Sequence, residues 1–287
     1  GTSDVHSQTP APLQEKEHLI IRNLWETYQT LSLENYQEAY HDAIQFNEEA
    51  KSLFSLGYLT LIQRSRAEQL YWACCQKILE ISRTQDYVPD DLEDLEKSMA
   101  SVYYINLSVF QSVPDAWAIE QLFPIMPIHR LDQEPTCRGT LADLTCDSDG
   151  KINQFIDLRD VKSVLELHPL KDKAKSSTSQ AKEPYYLGLF LAGAYQEVMG
   201  NLHNLFGDTN TVHIQLTPRG YEFDNVVKGY TVKEVLGYVQ YKAEDLVESI
   251  RRRTEKALQE NRITLAEAQR LLQNYERSLG SYTYLSY

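Results

Sequence analysis

Between Leu13 and Ala100 the chain holds a single glycine, Gly57, and a single proline, Pro89. Apolar residues recur there at three- and four-residue steps: Leu33, Tyr36, Tyr40, Ala43, Ala50 and Leu53; then Leu59, Ile62, Leu70, Cys74, Ile78 and Ile81; then Leu92, Leu95 and Met99. A helix returns to the same face every 3.6 residues, so each series is one apolar stripe. Three stripes that must be buried against one another predict a helical bundle over 13–100, after a flexible N-terminus at 1–12. Gly57 and Pro89 fall in the breaks between them, where helices are expected to stop.

The pattern changes near residue 101. Val102-Tyr103-Tyr104-Ile105 and Leu141 to Leu144 are short apolar or β-favouring runs, Thr211 to Leu216 alternates, and Pro114, Pro124, Pro127, Pro135 and Gly139 punctuate them. These signals predict an antiparallel, sandwich- or barrel-like β-domain over 101–230. Tyr185 to Ala192 is apolar on both faces, which predicts a strand buried between layers. The lysine-, serine- and alanine-rich run from Lys171 to Glu183 predicts a mobile loop over 171–184. The sheet starts abruptly after the bundle and carries few hairpin signals, which points to an incomplete module. Thr231 with Glu234, and Thr264 with Glu267, are capping boxes that open helices in a C-terminal segment, 231–287. The fold class is α+β.

Composition narrows the function classes. The 41 acidic residues against 28 basic ones leave a net charge of -13, which repels nucleic acid and anionic membranes and suits a cationic ligand or a basic partner. No apolar run approaches the ~20 residues of a membrane span, and Gly1 to Pro12 lacks the charged and apolar regions of a signal peptide. A cytoplasmic location is expected. The four cysteines (Cys74, Cys75, Cys137 and Cys146) show no CxxC spacing, so reduced thiols are expected, with neither zinc nor a disulfide framework.

The run Leu144-Thr145-Cys146-Asp147-Ser148-Asp149-Gly150 sets a thiol beside two carboxylates. A lone cysteine is most often a small buried hydrophobe. Flanking carboxylates disfavour a thiolate, however, so this thiol is poised as a proton donor beside anions suited to a cationic substrate. The same run imitates the middle of a calcium-binding loop. In that alignment the first ligand position falls on Thr145 and the last on Ile156, so two strong oxygen ligands are missing. A plain turn, with Asp and Gly chosen for backbone geometry, is the structural alternative. A second constellation joins Gly193-Ala194-Tyr195-Gln196 to His203-Asn204-Leu205-Phe206-Gly207-Asp208. There a phenol can donate to a phosphate or carboxylate, and glycines let backbone approach a ligand.

Several separate motifs, in order, make the chain resemble the biosynthetic arginine decarboxylase family, pyridoxal-phosphate enzymes with an alanine-racemase-like barrel. They are Ala67 to Tyr71, Tyr104 to Ser112, Pro114-Asp115-Ala116-Trp117, Gln121 to Pro124, the Cys146 run, Gly193 to Gly207, and Tyr282 to Leu285. The resemblance implies that this chain is the C-terminal part of such an enzyme. The family's N-terminal barrel, whose lysine forms the Schiff base with pyridoxal 5'-phosphate, would then be the partner, with a homo-oligomer expected. It also accounts for the unfinished sheet, because the family's β-domain borrows strand material from the enzyme's N-terminus. Magnesium, which the family often requires, is the second cofactor implied.

Carried over by motif, Cys146 and Asp147 cross a dimer interface into the partner's active site. Cys146 returns the proton to the α-carbon after carbon dioxide leaves. Asp147 pairs with the guanidinium of arginine, and Asp149 either assists or holds the turn. Tyr195 touches the cofactor phosphate. Ornithine-type relatives place an aspartate just after the asparagine matching Asn106, where this chain has Leu107, so the candidate for the second substrate carboxylate is Asp115, which equally suits capping of the following turn. The product of such an enzyme is agmatine, a polyamine precursor. Two alternatives are a non-catalytic derivative that binds and modulates a complete decarboxylase, and a small metal-binding domain. The retained Cys146, Asp147 and Tyr195 favour the enzyme portion.

Overall fold

The computed structural model describes residues 9–14, 16–85, 90–158, 160–170, 184–193 and 195–286; residues 171–183 of the expected loop, Pro89 and residues 1–8 lie outside them. Four helices come first, α1 (Leu19–Thr30), α2 (Tyr36–Ser55), α3 (Leu61–Ser82) and α4 (Asp90–Met99). Strand β1 (Ser101–Tyr104), the short helices α5 (Val109–Ser112) and α6 (Pro114–Ala118), and strand β2 (Ile125–Pro127) follow. Next are β3 (Cys137–Ala142), β4 (Lys151–Ile152), β5 (Phe155–Ile156), β6 (Val161–Lys162), β7 (Leu165–Leu167) and β8 (Leu187–Leu189). Strands β9 (Thr211–Thr217) and β10 (Gly220–Val227) precede α7 (Val232–Tyr238), α8 (Ala243–Gln259) and α9 (Leu265–Leu279).

Pairing gives one four-stranded sheet, ordered β1-β3-β4 with β7 also on β3, and the two-stranded sheets β2-β8, β5-β6 and β9-β10. The fold is therefore α+β, with a helical bundle, small antiparallel sheets and C-terminal helices, and no closed barrel among the described residues. Backbone contacts divide the chain into two compact units. One holds residues up to Val102 with Glu134–Gly139 and Ser163–Pro169; the other holds Tyr103–Gln133, Thr140–Lys162 and the chain from Leu170.

In the first unit α2 and α3 bring their stripes together. Ala43, Ala50, Ala67, Leu70, Cys74 and Ile78 are all 0% exposed, and Leu92 and Leu95 of α4 are buried with them. Between α2 and α3 the chain reverses through Gly57 (φ 81). The amides of Gly57 and Tyr58 donate to Phe54 O and Leu53 O, a helix ending that needs a left-handed residue and so favours glycine. Thr60 and Gln63 then form the capping box that starts α3.

Three helices were expected here and four are present among the described residues. Helix α1 buries Ile20, Ile21 and Leu24, but its N-cap is His18, whose Nδ1 accepts the Ile20 amide at 3.3 Å. No Ser, Thr, Asp or Asn marks that start. Leu33, placed on the α2 stripe by spacing, precedes the helix and is 57% exposed.

In the second unit the expected buried strand at 185–192 is shorter and more exposed. Only Leu187–Leu189 form β8, pairing β2 in the register Ile125–Leu189, Met126–Gly188 and Pro127–Leu187. Leu191 turns left-handed (φ 58), ends the extended run and stands exposed. The β9-β10 hairpin turns through Pro218 and Arg219. It pairs Val212 with Val226, Ile214 with Phe223 and Leu216 with Tyr221. Those six side chains share one face and all are exposed. At the C-terminus both capping boxes form, at Thr231/Glu234 and Thr264/Glu267. Accepting hydrogen bonds from those threonines holds both glutamate carboxyls below their ordinary range. The tail packs back through Tyr284, which is buried and donates to Gly207 O at 2.8 Å. No helix among the described residues is long and apolar enough to cross a membrane.

Burial pushes the Cys74 and Cys75 thiols up to about 12, whereas an unfolded cysteine ionises near ~8.5. Between those values the unfolded chain binds fewer protons than the folded one, so these thiols make stability fall as pH rises through that window. Urea unfolding between pH 8 and pH 11 should show a steeper decline for the native sequence than for a Cys74→Ala, Cys75→Ala variant. Equal slopes would contradict the assignment.

Candidate active site

Asp143 closes the apolar run of β3 and is only 2% exposed. Its Oδ2 accepts the Val109 amide at 2.8 Å, and its Oδ1 accepts both the amide and the hydroxyl of Thr145, each at 2.7 Å. Its own amide donates to Gly150 O at 2.8 Å, which closes the neck of loop 143–150. A carboxylate removed from water needs this many donors, and it takes them from the first turn of α5 and from the loop itself. Gly150 follows from the same crowding: a Cβ there would collide with Asp143 Oδ1 and Thr145 Oγ1. The glycine expected for turn geometry is thus required by a close approach of side chains.

Within the loop, Asp147 Oδ1 accepts the Asp149 amide at 2.9 Å, Asp147 O accepts the Gly150 amide at 3.1 Å, and Asp149 O accepts the Lys151 amide at 2.8 Å. Asp149 therefore holds the turn through its backbone while its carboxylate faces solvent. Cys146, Asp147 and Asp149 are all exposed. Of the four cysteines, Cys146 is the exposed one, Cys137 is half-buried, and Cys74 and Cys75 are buried.

Two neighbours steady this projecting turn. The Cys146 amide donates to Asn204 Oδ1 at 2.9 Å, and His203 Nε2 lies 3.5 Å from Asp147 Oδ2. The His203 ring rests on Phe110, centroids 4.3 Å apart, and Phe110 meets Trp117 edge-on at 5.0 Å. Phe110 O also accepts the Asn201 amide at 2.9 Å.

Asp115 sits at the second position of α6 and pairs with Gln196 in both directions. Gln196 Nε2 donates to Asp115 Oδ2 at 2.6 Å, and the Asp115 amide donates to Gln196 Oε1 at 3.2 Å. Gln196 is buried, whereas the preceding Tyr195 is 72% exposed with a left-handed backbone (φ 74). The structure thus gathers Cys146, Asp147 and Asp149 on one loop, and ties Asp115 of α6 to Gln196, the residue after Tyr195. Phe110 reaches both groups, through His203 on one side and Trp117 of α6 on the other.

The residues that build this framework carried no assignment from sequence. His203, Asn204 and Gln196 lay inside a noted motif. Asp143, an acidic residue inside an apolar run, was a readable sign of a buried carboxylate. Among the described residues there is no group of three or more His, Cys, Asp or Glu side chains that could hold a metal ion, so no step is assigned to magnesium or calcium.

The profile of the arginine decarboxylase helical bundle domain matches residues 14–96, and that of the arginine decarboxylase C-terminal helical extension matches residues 232–285. The biosynthetic arginine decarboxylase of Thermosynechococcus vestitus is 71% identical over 286 residues, covering 100% of this chain and 44% of the relative. This chain belongs to the biosynthetic arginine decarboxylase family.

A more distant family member, from Phocaeicola vulgatus, is 45% identical over 94% of this chain and 42% of its own length. The crystal structure of the biosynthetic arginine decarboxylase from Campylobacter jejuni matches with a TM-score of 0.75 at 30% identity, covering 97% of this chain and 43% of that one. The chain therefore spans about two fifths of the length of the family members it matches.

Loop 143–150 depends on Asp143 and on the absence of a side chain at 150. Gly150→Ala should cost about 1–3 kcal/mol through overpacking, and Asp143→Ala about as much or more through amides left without an acceptor. Urea unfolding measures both. A loss under about 0.5 kcal/mol in either variant, the range of an ordinary surface substitution, would show that the neck does not hold the loop.

Proposed function

We propose that this chain is the C-terminal portion of an arginine decarboxylase that converts L-arginine to agmatine and carbon dioxide in polyamine biosynthesis. In this reading it supplies Cys146 and Asp147 to a composite site at a dimer interface. The carrying observation is the exposed thiol of Cys146, projecting beside Asp147 on a loop whose neck is locked by a buried carboxylate. A buried structural cysteine has no use for that position.

Pyridoxal 5'-phosphate, which the family resemblance implies, would meet here an exposed phenol whose hydroxyl suits a phosphate oxygen. The donor chemistry of Tyr195 fits that group, and the lysine that would hold its aldehyde belongs to the barrel portion. When bound, the cofactor supplies the electron sink that lets carbon dioxide depart.

The remaining work falls to side chains of this chain. Asp147 orients the substrate by its distal guanidinium, its carboxylate steadied by the Asp149 amide at Oδ1 and by His203 beside Oδ2. Asp115 is the second carboxylate, held in place by Gln196. Cys146 gives its proton to the α-carbon where the carboxylate stood, and the exposed sulfur regains one from solvent.

The apolar face of the β9-β10 hairpin, uncovered along its length, supports a partner that covers it, since large bare patches are uncommon on monomers. The barrel portion of the same enzyme is that partner, with a homo-oligomer bringing Cys146 to a neighbouring site. A modulator that docks on a complete decarboxylase would use the same face, but the thiol and carboxylate turn favours the enzymatic reading.

The purified chain alone should release no carbon dioxide from arginine. In the full-length enzyme Cys146→Ala should lower kcat by about 10²–10⁴, while Asp147→Asn should raise KM for arginine far more than it lowers kcat. Turnover by the isolated chain, or wild-type kcat in Cys146→Ala, would overturn the proposal. An unchanged KM in Asp115→Asn would remove that residue from the substrate site.

A further inference from the structure

Cys146 and Asp147 sit on an exposed loop, yet a proton donor is useful only where its position is held. The locked neck at Asp143 fixes the two ends of the loop and leaves its tip to be fixed from outside. Two consecutive residues of another segment do that. Asn204 Oδ1 accepts the Cys146 amide at 2.9 Å, and His203 Nε2 faces Asp147 Oδ2 at 3.5 Å.

Both are held for the purpose. Asn204 adopts a left-handed backbone (φ 53, ψ 24), followed by Leu205 at φ 62, so two adjacent non-glycine residues occupy a region that costs energy. Asparagine tolerates that region better than most residues, and here the conformation aims its amide oxygen at the tip. His203 is not free to turn away, because its ring lies on Phe110, 31° from parallel at 4.3 Å, and Phe110 is 3% exposed and backed by Trp117.

We infer that Asn204 and His203 are positioning residues, Asn204 for the Cys146 thiol and His203 for the Asp147 carboxylate. The inference rests on the reading of Cys146 and Asp147 given above and adds the division of labour between their supports. Asn204 acts on the proton-transfer step and His203 on recognition of the cation.

The test separates this inference from the reading beneath it. In this chain, Asn204→Gly keeps a residue at ease in the left-handed region but removes the acceptor, whereas Asn204→Asp keeps an acceptor oxygen of the same shape. Hydrogen exchange of the Cys146 amide should be about fivefold faster or more in Asn204→Gly, the loss of roughly one hydrogen bond, and should stay slow in Asn204→Asp. Amides of α3 serve as the fold control.

In the full-length enzyme Asn204→Gly should lower kcat about tenfold with little change in KM. His203→Phe, which keeps a ring on Phe110 but no nitrogen toward Asp147, should raise KM for arginine with little change in kcat. Unchanged Cys146 exchange in Asn204→Gly, or wild-type kcat in that variant while Cys146→Ala is inactive, would overturn the inference. Wild-type turnover in Cys146→Ala would instead overturn the reading of the loop, and the exchange data would still decide whether Asn204 holds its tip.

Discussion

One buried carboxylate organises the region around the Cys146 loop. Asp143 has almost no access to water and is tied to α5 through Val109, to the acidic loop through Thr145, and to the loop's exit through Gly150. Removing a charge from water is costly unless donors replace the water, so the carboxylate and its donors persist together or not at all. That coupling lets an exposed loop carry a thiol and a carboxylate in a definite place. The rest of the arrangement is attached to the same frame: α5 carries Phe110, Phe110 seats His203, and His203 with Asn204 meets the tip of the loop.

The helical parts were legible because their signals are local. Periodic apolar residues mark α2, α3 and α4, and the Thr231/Glu234 and Thr264/Glu267 boxes mark the starts of α7 and α9. Helix α1 escaped because its cap is an imidazole, which is not a usual N-cap side chain. The β region was less legible for a related reason. Strands of two or three residues, such as β4 and β8, give no countable alternation, and their pairing is decided by distant partners. The run 185–192 misled because apolar residues on both faces describe a buried strand, whereas the extension stops after Leu189 and Leu191 turns left-handed.

For the site, residue types were legible and their supports were not. Cys146, Asp147, Asp149, Asp115 and Tyr195 stood out through chemistry and through family motifs. The partners that hold them come from far along the chain: Asn204 and His203 for the loop, Gln196 for Asp115, Val109 for Asp143. Such contacts leave no periodic trace. Gly150 illustrates the limit well, since a turn glycine was expected and is present, while its cause is the side chain of Asp143 rather than its own backbone angle.

These observations describe a polypeptide that presents an exposed thiol and an exposed carboxylate side by side on one steadied loop. A crystal structure of the full-length enzyme with agmatine bound tests the account most directly. The account predicts the guanidinium of agmatine against Asp147 and the sulfur of Cys146 turned toward the carbon that lost its carboxylate. Agmatine bound in a pocket that loop 143–150 does not line would contradict it.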